Sequence, residues 1–339
     1  MKIECTKEIT SFLDRCRYHI YNDEKNDFLG MHVTKSNEKK VQKMMHDAGF
    51  AEFSGEESTW PSLFLSVKDW EQSSYHANVS LDMVKDGHFS FETERIAGHE
   101  LFNADCIQKD PKRELNDSMK LRAMDANFDA IYLLQDDEDW MLDAPSEAAT
   151  NNVPAEKAHG DILTFGLGIG YFLYMAMLND KVTSITVIEK SEAVIAMFNR
   201  FLWPQFPHNK PVKIIQGDAF ELFNKKIFNS YDYVYTDIWK SGNDGLITIE
   251  KLLQQYLPPY EKASFWIEDS CFEIMWTLIF LYFDALAHHH KPSVNPAYAS
   301  EMKKLRLYFE SIHETLNQPE QLQFYMYDTE TIRKILSLK

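Results

Sequence analysis

Five short apolar runs occur in the second half of the chain, separated by stretches with helical periodicity. The runs lie at residues 162–165, 182–188, 212–215, 231–236 and 263–267. Helix-like stretches follow the first two runs at residues 171–178 and 192–201. Alternation of short apolar runs and helices at this spacing predicts βαβ units, and therefore an α/β, Rossmann-like parallel sheet with helices on both faces.

The first third of the chain has a mixed pattern. Helical periodicity covers residues 7–21 and 37–48, and residues 63–67 form an apolar run. Residues 88–94 alternate between apolar and polar side chains, which is typical of a half-buried strand. We therefore predict an N-terminal α+β domain, in which helices and strands are both present but do not alternate regularly.

A predicted hairpin ends this domain. The apolar run 130–134 leads into an acidic cluster at 136–139, which belongs on a solvated turn, and a second strand follows around 140–142. The segment 144–154 contains Pro and Asn residues and is interpreted as a linker.

These elements divide the chain into two predicted domains. The α+β domain with its hairpin and linker occupies residues 1–155, and the Rossmann-like domain occupies residues 156–339. Residues from 295 onward have a helical pattern, so we expect the second domain to end in helices.

Charge and composition narrow the possible partners. The chain of 339 residues has 52 acidic and 35 basic side chains, and its formal net charge is −17. Nucleic-acid affinity rests largely on Lys and Arg, so a nucleic-acid substrate is disfavoured and a small cationic or neutral molecule fits better.

The lack of a visible targeting signal and the wide spacing of the cysteines predict a cytoplasmic protein. No apolar signal-peptide core is visible at the N-terminus, and the most apolar stretch, 275–283, is too short to span a bilayer. The four cysteines lie far apart and are interpreted as reduced thiols. We therefore expect no membrane partner, and no feature indicates an oligomeric state.

A glycine turn follows the first of the five runs. Gly166, Gly168 and Gly170 form a Gly-X-Gly-X-Gly sequence. The Gly-X-Gly-X-X-Gly sequence of dinucleotide-binding proteins would require Gly at position 171, where this chain has Tyr. Glycines are required where the chain turns sharply and a ligand approaches the backbone too closely for a Cβ atom. The turn predicts a nucleotide-type site, and Tyr171 disfavours a nicotinamide oxidoreductase.

Acidic residues end the next three predicted strands. Glu189 lies 19 residues after Gly170, where a carboxylate can accept hydrogen bonds from both ribose hydroxyls of an adenosine. Asp218 and Ala219 follow the third strand, beside the expected adenine, and Asp237 follows the fourth. Ligands of open α/β sheets bind beyond the carboxyl ends of the strands, so we predict that these residues face one crevice.

The run from Ile162 to Asp237 resembles the class I S-adenosylmethionine-dependent methyltransferases, and most of all their spermidine synthase-like branch. The resembling pieces are residues 162–170, 187–189, 217–221 and 231–237, preceded by 142–147, which is similar in placement to the hairpin and linker of aminopropyltransferases. The resemblance implies that S-adenosylmethionine is the cofactor. It is expected to lie on the glycine turn, Glu189, Asp218 and Ala219, with Asp237 as the catalytic contact to the acceptor.

Departures from the resembling families decide between reactions. Aminopropyltransferases carry carboxylates that hold ammonium groups at the positions of Ile169 and Lys240. Many methyltransferases have an acidic residue at the position of Thr164, so the methionine amino group has no predicted partner here. We predict an S-adenosylmethionine-dependent methyltransferase acting on a small molecule. The alternatives are aminopropyl transfer from decarboxylated S-adenosylmethionine and a non-catalytic adenosyl-ligand binder.

Three consecutive histidines, His288–His290, raise the question of a metal site. Consecutive histidines do not converge on an ion as an i, i+4 pair on a helix does. We interpret them as a solvated helix end and predict no metal.

Overall fold

The computed structural model describes residues 1–22, 25–107, 114–115 and 119–339. Strands within these ranges are β1 (Lys2–Ile3), β2 (Phe64–Leu65), β3 (Phe89–Ile96), β4 (Phe102–Asn103), β5 (Leu121–Met124), β6 (Phe128–Gln135), β7 (Glu138–Asp143), β8 (Gly160–Phe165), β9 (Val182–Glu189), β10 (Val212–Gln216), β11 (Tyr233–Thr236), β12 (Ala263–Phe265) and β13 (Thr315–Leu316). Helices are α1 (Lys7–Tyr21), α2 (Glu38–Asp47), α3 (Val67–Glu71), α4 (Pro145–Lys157), α5 (Tyr171–Leu178), α6 (Glu192–Met197), α7 (Ala219–Leu222), α8 (Lys225–Phe228), α9 (Gly242–Gln255), α10 (Glu268–Ala287), α11 (Ala299–Glu310), α12 (Pro319–Tyr327) and α13 (Thr329–Leu336).

The five predicted strands form one parallel sheet, which confirms the predicted fold class. Its order is β10-β9-β8-β11-β12, and every pair is parallel. The central strand β8 is buried from Ile162 to Phe165, as expected for a strand covered on both faces. From β8 the chain continues to β9 and β10 on one side of the sheet and then crosses to β11 and β12 on the other side of β8. The switch in direction creates a crevice at the carboxyl ends of these strands.

The predicted hairpin is present and packs above this crevice. Strands β6 and β7 are antiparallel, and β3 completes a three-stranded sheet. At the tip, Asp136 and Asp137 have φ angles of 53° and 63°. Asp tolerates the left-handed conformation that two-residue hairpin turns require, and this explains acidic residues at the turn.

Helix α4 replaces the predicted linker at 144–154, so that interpretation is wrong. Pro145 occupies the first helical turn, where its missing N–H needs no partner, and Pro154 lies in the last turns. The asparagines are held by tertiary contacts: Asn152 accepts a hydrogen bond from the Tyr171 hydroxyl at 3.0 Å. Such contacts outweigh the weak helix propensity of Pro and Asn, which a local pattern cannot show.

Helix α10 is 20 residues long and extends well beyond the predicted apolar run. By length and composition it could cross a membrane, with a mean hydropathy of 1.4, but 67% of the relevant window is buried inside the protein. It packs against α9 and α12. It is therefore a core helix of this fold, and the cytoplasmic location stays a prediction.

The two ends of the chain meet. Strand β1 pairs in parallel with β13, and Ile9 of α1 belongs to the same hydrophobic cluster as Leu336 of α13. The helical C-terminal part is confirmed by α11 to α13. The division into domains at residue 155 stays a prediction.

Candidate functional site

A cavity of about 580 Å³ opens at the carboxyl ends of the parallel strands. Its wall combines the glycine turn, the ends of β9 and β11, the hairpin strand β7 and the first turns of α4. The sequence-predicted site residues all line it: Gly166, Gly168, Gly170, Glu189, Asp218, Ala219 and Asp237. The structure thus brings them together, while their roles toward a ligand stay predictions.

The first glycine of the turn is required by the protein's own packing. Gly166 has a φ angle of 98°, and a Cβ atom there would lie 1.9 Å from the carbonyl oxygen of Asp237. Its N–H donates to the Ile188 carbonyl at 2.9 Å. Gly166 therefore lies between the ends of β9 and β11, and there is no room for a side chain at this position.

The other two glycines meet different neighbours. A Cβ atom on Gly168 would lie 3.0 Å from the sulfur of Met141, which comes from β7. A Cβ atom on Gly170 would lie 2.5 Å from the ring of Phe198, at the end of α6 where the helix continues as a π-helical turn. Gly170 also has a left-handed φ of 78° and precedes the first residue of α5. The hairpin and α6 together enclose the turn.

Glu189 ties the end of β9 to the glycine turn. Its Oε2 accepts a hydrogen bond from the Leu167 N–H at 3.1 Å, and its Oε1 accepts one from the Ser191 N–H at 2.7 Å. Each carboxylate oxygen has a further lone pair. Glu189 can therefore hold the turn and still accept hydroxyl hydrogens from a ribose.

Asp218 is also partnered within the protein. Its Oδ2 lies 2.9 Å from Nζ of Lys190, and its Oδ1 accepts from the Phe220 N–H at 2.9 Å, which caps the short helix that begins at Ala219. The Lys190 contact, followed by the backbone hydrogen bond, lowers the pKa of Asp218. An adenine amine at this position would share the carboxylate with Lys190.

Asp237 has a different environment. Its N–H donates to the Phe165 carbonyl at 2.9 Å, but within the described ranges its carboxyl group has no hydrogen-bonding or ionic partner. Burial raises the pKa of Asp237 to about 8, and the nearby carboxyl of Glu147 adds to the shift. In the ligand-free protein at neutral pH the group is largely protonated, and it can take up a proton once ionised.

Sequence reasoning missed two cavity residues, Asp143 and Glu147. Asp143 ends β7, and its Oδ1 lies 2.9 Å from Nε2 of His76. Glu147 lies in the first turn of α4, where burial, and then the charge of Asp143, raise its pKa. Pro145 followed by an acidic residue is a signal for a helix N-terminus and could have identified α4. Only the fold shows that this turn faces the crevice.

Aromatic residues complete the wall. Tyr171 and Trp239 both line the cavity. The Tyr171 hydroxyl is bonded to Asn152, and the Trp239 indole N–H is buried without a hydrogen-bond partner in the described part of the chain. Tyr235 and Trp266 line the side next to α4.

The charge of the cavity wall is negative. Its carboxyl side chains are Asp143, Glu147, Glu189, Asp218 and Asp237, and its cationic side chains are Lys190 and Lys240. With Asp237 largely protonated, the other four carboxyl groups still outnumber the two ammonium groups, which favours a cationic ligand.

The histidine cluster lies outside the cavity wall. Asp284, His288 and His290 place possible ligand atoms within 4.8 Å of one another. However, Asp284 Oδ1 already lies 2.6 Å from a guanidinium nitrogen of Arg17. That cation repels a divalent ion at the shared carboxylate, so these histidines retain their interpretation as a helix end.

No protein-family model matches the chain, and no curated protein matches it in sequence. Among solved structures it is similar to a spermidine synthase from Thermotoga maritima, with 17% identity, a TM-score of 0.30 and coverage of 41% of this chain and 49% of that one. It is similar to human methyltransferase-like protein 13 in complex with SAH, with 14% identity, a TM-score of 0.26 and coverage of 35% and 59%.

A third similar structure is the shikimate dehydrogenase of Mycobacterium tuberculosis, with 14% identity, a TM-score of 0.23 and coverage of 46% of this chain and 62% of that one. The chain therefore spans about half to three-fifths of the length of these structures. Transferases and a dehydrogenase occur side by side among them. The structure confirms the fold predicted from the sequence: a Rossmann-like α/β sheet with a glycine turn at its carboxyl edge.

Proposed function

We propose that the cavity binds S-adenosylmethionine and that the protein transfers its methyl group to a small-molecule acceptor. The observation that supports this most strongly is the set of five carboxyl groups around a glycine turn at the switch point of the sheet. S-adenosylmethionine carries a sulfonium and an ammonium against one carboxylate, whereas a nicotinamide dinucleotide carries an anionic pyrophosphate. The charge of the wall therefore favours the sulfonium ligand.

The proposed orientation follows from the positions of the carboxyl groups. Glu189 would accept the ribose hydroxyls, and Asp218 with Ala219 would border the adenine. The amino-acid end would then cross the glycine turn toward β11, with the sulfonium near Asp237. Alignment of donor and acceptor in one cavity supplies much of the rate enhancement, because the sulfonium is already a reactive leaving group.

Methyl transfer requires a single displacement. A lone pair of the acceptor forms a bond to the methyl carbon, the carbon–sulfur bond breaks, and its electrons remain on sulfur as S-adenosylhomocysteine. The proton lost by the acceptor goes to the ionised carboxylate of Asp237. A pKa of about 8 suits this role, since general bases work best when their pKa lies near the working pH.

Aminopropyl transfer is the second candidate, and the carboxyl groups of Asp143 and Glu147 favour it. A polyamine acceptor needs several carboxylates to offset the desolvation of its ammonium groups. Lys240 and Ile169 oppose it, because they stand where the resembling family has acidic residues. We keep methyl transfer as the proposal.

Calorimetric titration and one activity assay test the proposal. We expect S-adenosylmethionine to bind at least as tightly as its decarboxylated form, and NAD to bind much more weakly than either. With putrescine and decarboxylated S-adenosylmethionine, we expect no spermidine and no methylthioadenosine.

Different outcomes identify different errors. Tight binding of NAD without adenosyl binding would contradict the proposal. Robust spermidine formation would put aminopropyl transfer first. Adenosyl binding without transfer to any of a panel of amine, phenol and carboxylate acceptors would favour the non-catalytic binder.

A further inference from the structure

Helix α4 is fixed rigidly over one side of the cavity. The Tyr171 hydroxyl donates to Asn152 Oδ1 at 3.0 Å, and the Tyr235 hydroxyl donates to Asn151 Oδ1 at 2.9 Å. The indole N–H of Trp266 donates to Thr150 Oγ1 at 2.8 Å. Three hydrogen bonds from three separate elements therefore hold α4, and side chains in its first turn are positioned precisely enough to bind a ligand.

These contacts also place α4 over a particular point of the sheet. Tyr235 is the register partner of Thr164 on β8. Asn151, which binds Tyr235, lies one helical turn after Glu147, and both residues line the cavity with Thr164. Glu147 therefore lines the same cavity as the end of β8 and the glycine turn.

The carboxyl group of Glu147 has no partner of its own. Within the described ranges no hydrogen bond or ion pair reaches it, and burial raises its pKa. Asp143 differs, because it is paired with His76. Glu147 is partly buried in the cavity wall, and a carboxyl group in this position without a protein partner can pair with a cationic group on the ligand.

The glycine turn itself provides no carboxylate for such a group. Ile169 lies within the turn and Thr164 two residues before it, and neither is acidic. The Thr164 hydroxyl donates to the Gly166 carbonyl at 3.4 Å. An ammonium taken out of water next to this turn needs an anionic acceptor. Among the described residues that line the cavity, Glu147 and Asp237 are acidic and have no partner for their carboxyl groups. Asp237 is assigned to the acceptor, which leaves Glu147 for the ammonium.

We propose that Glu147, supplied by α4, binds the ammonium group at the amino-acid end of the adenosyl donor. The assignment rests on the proposed function and names the residue that replaces an acidic residue in the glycine turn. Asp237 then remains available for the acceptor. The two unpartnered carboxyl groups of the cavity thereby serve two different substrates.

The test compares three ligands on two variants by calorimetry. S-adenosylhomocysteine has the ammonium and the carboxylate but no sulfonium. Decarboxylated S-adenosylmethionine has the ammonium and the sulfonium but no carboxylate, and methylthioadenosine has none of the three groups. For Glu147→Gln we expect the first two ligands to bind about 10- to 100-fold more weakly, the range for losing a hydrogen bond to a charged group. Methylthioadenosine should bind about as well as it does to the unmodified protein. Glu156→Gln, an exposed position on the same helix, should change none of the three affinities.

Each contrary outcome has a distinct meaning. Equal weakening of all three ligands would overturn the assignment, because Glu147 would then shape the cavity rather than bind an ammonium. Loss confined to S-adenosylhomocysteine would also overturn it, since the carboxylate would be the group sensed. Retained binding of methylthioadenosine shows that the variant is folded. If the unmodified protein binds none of the three, the proposed function fails, and the assignment of Glu147 fails with it.

Discussion

The two sides of the cavity treat their carboxyl groups in opposite ways. On one side, called the nucleoside side because we propose that the nucleoside binds there, Glu189 and Asp218 are held by backbone N–H groups, and Asp218 also by Lys190. On the other side, called the helix side because α4 supplies Glu147, the carboxyl groups of Glu147 and Asp237 have no partners among the described residues, and their pKa values are raised. The nucleoside side lowers the pKa of Asp218, while the helix side raises the pKa of each of its acids.

The two sides therefore contribute differently to ligand binding: the nucleoside side offers a preformed surface, and the helix side offers groups whose charge depends on the ligand. Carboxylates that are already hydrogen-bonded have been desolvated by folding, and a ribose adds bonds to a formed surface. Unpartnered carboxyl groups are costly to ionise until a cation arrives, so their ionisation should follow ligand binding. Ligand contacts to Asp218, whose pKa is lowered, should therefore be insensitive to pH near neutrality, and ligand contacts to Glu147 and Asp237, whose pKa values are raised, should be sensitive.

The largest effect is expected from Asp237→Asn. Removing the proton acceptor should lower the transfer rate by about 10²- to 10⁴-fold. In the unmodified protein the rate should rise with pH, because Asp237 accepts a proton only when ionised. The midpoint should lie at or below about pH 8, since a bound sulfonium lowers the pKa. A rate that is independent of pH between 6 and 9, or an unchanged rate in the variant, would contradict this role.

The same variant has an opposite effect on stability. The pKa of Asp237 is about 8 in the folded protein and near 3.8 ordinarily, so folding favours the protonated form. Its contribution to stability is fully present below about pH 4 and is lost as pH rises through about 8. Asp237→Asn should thus be more stable than the unmodified, ligand-free protein at pH 8.5, with a Tm higher by at least about 2 °C. At pH 4 the two melting temperatures should nearly coincide.

Next in size is Gly166→Ala. The new Cβ atom would strike the Asp237 carbonyl, and the left-handed backbone adds strain, so we expect a loss of about 2–4 kcal/mol in the free energy of unfolding. Gly242→Ala is the matched control, because its nearest neighbour would lie 3.5 Å away and no left-handed φ is required. Chemical denaturation of both variants measures the difference. Equal stabilities would show that the turn is not fixed by packing.

A smaller effect is expected from Glu189→Ala. Loss of hydrogen bonds to a charged group should weaken adenosyl binding by about 1.5–3 kcal/mol. The variant also frees the N–H groups of Leu167 and Ser191, so its fold must be checked by circular dichroism. Unchanged affinity in a folded variant would remove Glu189 from the site.

The sheet was predictable from sequence because its strands are short apolar or β-branched runs at regular spacing, and β8 and β11 are buried over four consecutive residues each. The ends of those runs then located Glu189, Asp218 and Asp237 at one edge by topology alone. Helix α4 was not predictable in this way. Its residues meet protein on several sides, and its asparagines are satisfied by tyrosines distant in sequence. Glu147 was missed for the same reason, since its importance depends on where α4 lies.

The glycine turn has a consequence for how such sequences evolve. Contacts within the protein enforce Gly166 and Gly170, at the Asp237 carbonyl and the Phe198 ring, and a left-handed φ of 51° favours glycine at position 168. A descendant that had lost its ligand would still be selected to keep all three, because replacing any of them would damage the fold. The glycine sequence can therefore persist because the fold requires it, even in a protein that no longer binds a ligand. Substitution at Glu147 and Asp237 carries no comparable penalty, so among relatives these two positions would record whether the ligand had been kept.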